Sequence, residues 1–368
     1  MSSSLERFIV SHIERKQKGL KAFCVRSILR MMSALFRAVV MMRNRLFDLR
    51  CISSKKCSVP VISIGNIVAG GTGKTPLTLM LTRALLAHSK VAILSRGYRS
   101  SAENGQEPLV LSSGDGPLFG PDVCGDEAYM LSKNLPKALV VVGRNRRRAA
   151  EIAFSAGAEL LVLDDGMQHR KLHRDIEIVV INGHDPFGQD RFLPSGFLRD
   201  EPKRLKNADC VIVNYCRALT KENRKLLQLR QKNLKIIGVE PIVTSICDRK
   251  GQSISLKLEG RKVGLFSGIA KPARFKQTVE VHGAHVVHEL ILQDHMTATS
   301  KDLQSFVNEC KNRGAEFVLC TEKDYVKLPH FSESLPLFWI QISLVFKEGE
   351  EHWFDLLKRL SHLKTVKN

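Results

Sequence analysis

A chain of 368 residues, 43% hydrophobic and 26% charged, has the make-up of a globular protein with a sizeable core and the length of about two domains. Lysine and arginine outnumber aspartate and glutamate 57 to 37, a formal charge of +20. That excess favours anionic partners, whether nucleic acid, an anionic membrane face or phosphorylated ligands, without choosing among them. Nine scattered cysteines with no C-x-x-C pair argue against a zinc site and a disulfide framework, and for a reducing cytosol.

Residues 1–50 form the first segment. Its stretch "CVRSILRMMSALFRAVVMMRNRLFDLR" is apolar but studded with arginine. No uncharged run approaches the ~18 residues of a spanning helix, and the arginines also spoil a signal peptide. At ~100° per residue, Arg26, Arg30 and Arg37 share one stripe while Ile28, Met31, Leu35, Val39 and Met42 lie opposite. The pattern predicts a basic amphipathic helix able to lie in a membrane interface. A helix packed on the protein body, with its arginines in water, is the alternative.

From residue 59 short apolar runs alternate with longer mixed segments. "VPVISIG", "KVAILSRG", "ALVVVGRN", "ELLVLDDG", "IEIVVING", "ADCVIVNY" and "LKIIGVE" are apolar at successive positions, as strands buried on both faces are. Helical segments, among them 76–88 and 145–156, separate them. The reading is an α/β doubly wound, mostly parallel sheet over residues 51–243. Residues 244–262 are polar, with strand-like alternation in "SISLKLEG", and read as a linker, with a β-ribbon as the alternative. A second, smaller α/β unit follows over residues 263–368.

The first of these strands opens the clearest motif, "SIGNIVAGGTGKTPLTL". The phosphate-loop pattern G-x-x-x-x-G-K-[ST] fits Gly73, Lys74 and Thr75, but its first glycine would be Val68. Gly70 and Gly71 supply backbone freedom nearby. Amides of Gly70, Gly71, Thr72, Gly73, Lys74 and Thr75 could wrap a phosphate at the helix start. Lys74 would bridge β- and γ-oxygens and Thr75 would hold Mg²⁺. Such a loop needs an acid at a neighbouring strand end, and "LVLDDG" supplies Asp164 and Asp165. "CGDEAYML" places Asp126 and Glu127 at a helix start, where a capping role is the competing reading. "QDH" carries Asp294 and His295, which alone would more often be a surface pair. Arginines follow several strands in "SRGYR", "GRNRRRAA" and "SGFLRDEPKRL" and could clamp phosphate. "TEKD" resembles a guanine-reading motif, but Lys323 stands one place late.

In this order the motifs resemble the tetraacyldisaccharide 4′-kinase family, the lipid A kinases of Gram-negative bacteria. The resemblance runs from "RNRLFDLR" through "GGTGKTP", "LSRGY", "GDEA", "LDDGMQHRKLHRDIEIVVI", "FLPSGFLRD", "FSGIAKPARF" and "QDH" to "TEKDYVKL". That family also lacks the first glycine. The resemblance implies transfer of the γ-phosphate of ATP, with Mg²⁺, to the 4′-hydroxyl of a tetraacylated glucosamine disaccharide 1-phosphate. It implies work at the cytosolic face of the inner membrane, peripherally attached to an anionic surface. It places the base at Asp126, supported by His295, and a γ-phosphate contact at Arg199. Arg96, Tyr98, Arg146, Gln168 and His169 are the candidate substrate contacts. The sequence departs from the family pattern at Ala128, Asn145, Asp200, Met296 and Ala298. A nucleotide-hydrolysing switch and a nucleic-acid-binding ATPase are the rival readings; no nucleic-acid-binding motif supports the second.

Overall fold

The computed structural model describes residues 3–13, 17–230, 234–292, 296–331 and 334–367. Two helices, α1 (Ser3–Ile13) and α2 (Leu20–Asp48), precede the sheet. The chain continues through β1 (Val61–Gly65), α3 (Lys74–Leu86), β2 (Val91–Ser95), β3 (Leu109–Ser113), α4 (Pro121–Cys124), α5 (Asp126–Asn134), β4 (Leu139–Val142), α6 (Arg146–Ser155) and β5 (Leu160–Asp164). Next come β6 (Ile176–Asn182), β7 (Cys210–Asn214), α7 (Lys221–Arg230), β8 (Lys235–Cys247) and the two-residue β9 (Ser253–Ile254). The last part holds β10 (Lys262–Ser267), α8 (Pro272–Val281), β11 (His285–Ile291), α9 (Ser300–Asn312), β12 (Phe317–Thr321), α10 (Glu322–Tyr325), β13 (Leu337–Glu348) and α11 (Glu350–Lys367).

The strands join in one sheet, ordered β11-β10-β12-β13-β8-β7-β6-β1-β5-β2-β4-β3, with β9 beside β8. Pairings are parallel except β3 with β4, β8 with β13 and β8 with β9. The expected α/β doubly wound layout is therefore present. Every residue of β1, β2, β4, β5 and β7 is buried, which explains their unbroken apolar text: helices cover both faces.

Two strands behave differently from the sequence reading. β8 runs on past "LKIIGVE" to Cys247, through Pro241. Its first residues pair with β7, whereas Pro241 lies opposite Leu344 of β13. Beyond Val239 the β7 side makes no ladder, so proline's missing amide costs no bond there. "SISLKLEG" forms strand only at Ser253–Ile254. β8 and β13 thus make a long antiparallel ribbon in mid-sheet, and β13 also pairs with β12.

On one face α3 and α11 bury Leu77, Leu81, Trp353, Leu356 and Leu360 against Ile62, Ile64, Ile178 and Ile212. The opposite face is covered by α6 through Ala149, Ala150 and Ala153, and by α2, α7 and the segment around residues 187–205. α9 and α8 cover β10 and β12 with separate clusters.

In α2 the residues Ala22, Leu29, Ser33, Val40, Asn44 and Phe47 are buried, a spacing of mostly three, four and seven that marks one helical stripe. Ser33 Oγ donates to the Phe192 carbonyl at 2.7 Å. Ile28, Met31, Leu35, Val39 and Met42 stay exposed, from 50% to 70%. The helix is therefore packed on the body along one line while its widest apolar face points to solvent. Among the described residues no helix is long and apolar enough to cross a membrane.

Candidate active site

The glycine-rich loop links the end of β1 to α3, at the carboxyl ends of the central strands. Ligands of open α/β sheets sit at such ends. Gly65 must be glycine because a Cβ there would lie 2.3 Å from Met167 Cβ. Gly73 caps α3 at φ 91°, a left-handed conformation, and a Cβ would strike Asn214 Nδ2 at 2.1 Å.

Val68 is explained by its partners. It bridges Leu198 in antiparallel fashion, is 8% exposed and packs in a cluster with Phe187, Phe192 and Leu198. Ala69 N–H donates to the Phe197 carbonyl at 2.7 Å, and Arg199 N–H to that of Ile67 at 2.9 Å. The start of the loop is thus a short β-bridge to the segment carrying Arg199, where a valine fits better than a glycine. The left-handed turns move to Gly70 (φ 99°) and Gly73.

Two asparagines that sequence reasoning missed hold the loop. Asn66, fully buried, donates from Nδ2 to Thr72 Oγ1 at 2.8 Å. Asn214, at the end of β7, donates from Nδ2 to the Thr72 carbonyl at 3.1 Å. Gln168 Nε2 donates to the Asn66 carbonyl at 2.9 Å and to Asp200 Oδ2 at 3.3 Å. Asp200 also accepts from Asn44 Nδ2 of α2 at 2.9 Å. The departure at Asp200 therefore leaves a buried carboxylate with two side-chain amide donors and the Glu201 backbone N–H.

At the mouth of the loop Lys74 Nζ lies 3.4 Å from Asp165 Oδ1. Arg199 Nη1 donates to Asp165 Oδ2 at 2.9 Å, and its Nη2 reaches Asp165 Oδ1 and Asn66 Oδ1. Burial would raise the Asp165 carboxyl, but Lys74 and Arg199 outweigh it and hold it well below the usual carboxylate range. Asp165 has φ 54°, a left-handed conformation that aspartate tolerates better than most residues.

Asp164 stands in the opposite condition. Its carboxyl is buried and receives the Thr78 hydroxyl at 3.3 Å. Burial first, then the charges of Glu127 and Asp165, push it up to about 7, against the pull of Lys74 and Arg146. Hydroxyl and carboxylate oxygens are the donors hard divalent cations take. A cation would also relieve this crowding of acids, so Thr75, Asp164 and Asp165 fit Mg²⁺ in chemistry. Among the described residues no three His, Cys, Asp or Glu side chains form a ready cage, consistent with a cation that would take most of its ligands from phosphate and water.

The remaining candidates divide. Arg146 is 3% exposed; it donates to the Gly143 carbonyl at 2.5 Å and to that of Asp164 at 3.2 Å, and burial lowers it to about 10. It braces the β5 end from beneath. His169 is pushed down to about 4 by burial and by Arg146, Arg174, Lys171 and Arg43, so its imidazole is neutral near pH 7. Arg96 pairs with Glu103 at 2.7 Å, and Tyr98 is half exposed with Arg99 over its ring. Asp126 is the first residue of α5, and Gly125 at φ 89° occupies the cap position. Its Oδ2 lies 3.4 Å from Lys327 Nζ. Asp294 and His295 lie outside the described residues. In "TEKD", Thr321 Oγ1 donates to Asp324 Oδ2 at 2.6 Å and Asp324 Oδ1 accepts from Gly268 N–H at 2.9 Å. The motif closes the turn after β12 and ties it to the backbone after β10.

A glycine loop between a buried strand and a helix, with a lysine and an arginine gathered on one strand-end aspartate, is the apparatus of a nucleotide-dependent phosphotransferase. The family model for tetraacyldisaccharide-1-P 4′-kinase matches residues 25–361. A tetraacyldisaccharide 4′-kinase of Halothermothrix orenii is 33% identical over 343 residues, covering 89% of each chain. One of Chlamydia caviae is 36% identical over 344 residues, covering 92% of this chain and 91% of its own. The crystal structure of LpxK from Aquifex aeolicus in complex with ATP superposes with a TM-score of 0.73 at 28% identity, covering 91% of this chain and 99% of that one. The chain belongs to the tetraacyldisaccharide-1-P 4′-kinase family, and it is a kinase. Family membership disfavours the switch and the nucleic-acid ATPase.

Proposed function

We propose that this kinase moves the γ-phosphate of ATP to the 4′-hydroxyl of a tetraacylated glucosamine disaccharide 1-phosphate, at the cytosolic face of the inner membrane. The observation that carries the reading is the Lys74–Asp165–Arg199 cluster at the mouth of the glycine loop, in a chain of this family. Amides of residues 70–75 cradle the phosphates, and the N-terminus of α3 favours their charge. Lys74 and Arg199 neutralise charge that develops on the transferring group. Thr75, Asp164 and Asp165 would hold Mg²⁺, which when bound would supply further neutralisation of phosphate charge.

Asp126 accepts the proton of the 4′-hydroxyl as its oxygen bonds to the γ-phosphorus. The bond from that phosphorus to the bridging oxygen breaks, and ADP leaves with the electron pair. His295 supports Asp126 in this scheme. Gln168 and Arg146 act through the loop and the β5 end that they brace, while Arg96, Tyr98 and His169 are the contacts assigned to the acceptor.

The exposed face of α2 supports attachment to the bilayer. Ile28, Leu35 and Val39 would enter the acyl boundary while Arg26, Arg30 and Arg37 meet anionic headgroups. The test of the activity is incubation with ATP and the disaccharide lipid, followed by mass analysis. Gain of one phosphate on the distal sugar supports it. ATP hydrolysis indifferent to the lipid, with no phosphorylated lipid, overturns it.

A further inference from the structure

Lys327 follows α10, and its side chain is only 6% exposed. Its Nζ lies 3.4 Å from Asp126 Oδ2 and 3.7 Å from Asp324 Oδ1, and it donates to the Met296 carbonyl at 3.3 Å. An ammonium has three donors and no acceptor, and here three acceptors surround it. They come from three separate segments: the start of α5, α10, and the loop after β11.

The arrangement is anchored on one side. Asp324 is 1% exposed and is already fixed to Thr321 at the end of β12 and to Gly268 after β10. Lys327 therefore stands on a rigid base and reaches from it to the carboxylate of Asp126. One turn away Lys323 Nζ lies 3.5 Å from Glu127 Oε1, so α10 and the residues just after it grip the start of α5 at two successive acids. Capping does not require this, since Gly125 holds the cap position. A lysine this enclosed is rare unless paired, and removing its partners would leave a charge in a poorly solvated place.

We propose that Lys327 is a positioning residue for phosphoryl transfer. By engaging Oδ2 of Asp126, it fixes the orientation of that carboxylate relative to the acceptor hydroxyl. By holding the Met296 carbonyl, it ties that backbone to the same ammonium that meets Asp126. The inference rests on Asp126 being the base.

The test compares Lys327→Gln, Lys327→Arg, Asp126→Asn and the Gln/Asn double variant of the full chain. kcat, KM for both substrates, ATP binding and thermal melting are measured for each. Lys327→Gln should lower kcat on the order of 10²-fold, as misplacement of a reacting group does, with ATP binding and KM for ATP kept. Lys327→Arg keeps the charge but changes its shape, and should recover part of the loss. In the Asp126→Asn background, Lys327→Gln should add little, because groups acting as a unit are non-additive.

A Lys327→Gln enzyme with normal kcat, beside an Asp126→Asn enzyme that is crippled, overturns the inference and leaves the base standing. Near-normal kcat in Asp126→Asn removes the base and the inference together. Equal loss of melting temperature, ATP binding and kcat in the Gln and Arg variants would show a role in folding alone, and also overturns it. If Lys327→Gln does not fold, a folded Lys327→Arg with full kcat and an unaltered response to Asp126→Asn does the same.

Discussion

Lys74 and Arg199 converge on the same carboxylate, Asp165, from two separate segments: one from the start of α3, the other from the loop that bridges Val68. The pairing places both cations at the mouth of the glycine loop and holds Asp165 ionised. A polyanionic nucleotide would compete with Asp165 for them, so binding and rearrangement of the cluster are one event.

Lys74→Ala should therefore reduce kcat by roughly 10²–10³-fold, the cost of removing one preorganised donor to a transition-state charge. Its melting curve should stay close to that of the parent, because the side chain belongs to no apolar cluster. Turnover at saturating ATP is the deciding measurement, and a near-normal value would dismiss the loop as the phosphate site.

Val68→Gly restores the glycine that the phosphate-loop pattern asks for, and should still be harmful. Val68 is buried among Phe187, Phe192 and Leu198, so its loss should cost ~1.5–3 kcal/mol of burial and roughly 0.5–1 kcal/mol of added backbone entropy. ATP affinity should not improve. Denaturant titration with ATP titration would show it, and tighter ATP binding by the glycine variant would refute the account of the β-bridge.

His169 gives a pH prediction. Its pKa in the folded protein is about 4, below the ~6.5 of a free imidazole. Between those values the unfolded chain binds a proton that the folded protein does not, so stability falls as pH drops through that window. His169→Gln should lose less melting temperature than the parent between pH 6.5 and 4.5. Parallel melting curves over that range would place the titration elsewhere.

Arg26, Arg30 and Arg37 offer the cleaner test of membrane attachment. Deleting residues 1–45 would also remove Asn44, which holds Asp200 and Glu201, and Arg43, which reaches the Gln168 carbonyl. Such a truncation would disturb the braces of the loop itself. Reversing the three arginines to Glu should release the protein from anionic vesicles, each contributing ~1 kcal/mol near the surface, and salt should weaken attachment of the parent. Co-sedimentation unchanged by the reversals would make α2 purely structural.

Much of this was legible in the sequence, for physical reasons that also mark where legibility stops. β1, β2, β4, β5 and β7 are buried on both faces, so their text is continuously apolar and easily seen. β13 is half exposed, and its partner β8 lies about a hundred residues earlier, a register that no local pattern carries. Lys74, Asp164, Asp165 and Arg199 were found from motif and resemblance, and Lys74, Asp165 and Arg199 meet in space. Asn66, Asn214 and Lys327 were not, because a single polar residue has no periodicity; its importance comes from what the fold brings beside it. The exposed stripe of α2 was read correctly from helical spacing, but its buried stripe, with a serine and an asparagine among apolar residues, was not.

The ribbon of β8 and β13 makes the chain cross between the two parts of the sheet twice. It leaves along β8, visits β10 to β12, and returns along β13 into α11, which packs against β8 and joins the apolar cluster of the central strands. The smaller part is consequently an excursion with both ends secured, not a pendant lobe. A single protease cut between residues 248 and 261 would leave it attached by β13, and two cuts would be needed to free it. Rotation between the parts must twist both crossings at once, which confines it to flexing about the ribbon. The Asp126–Lys327 contact spans that same joint, so its two sides keep their address even when the joint opens.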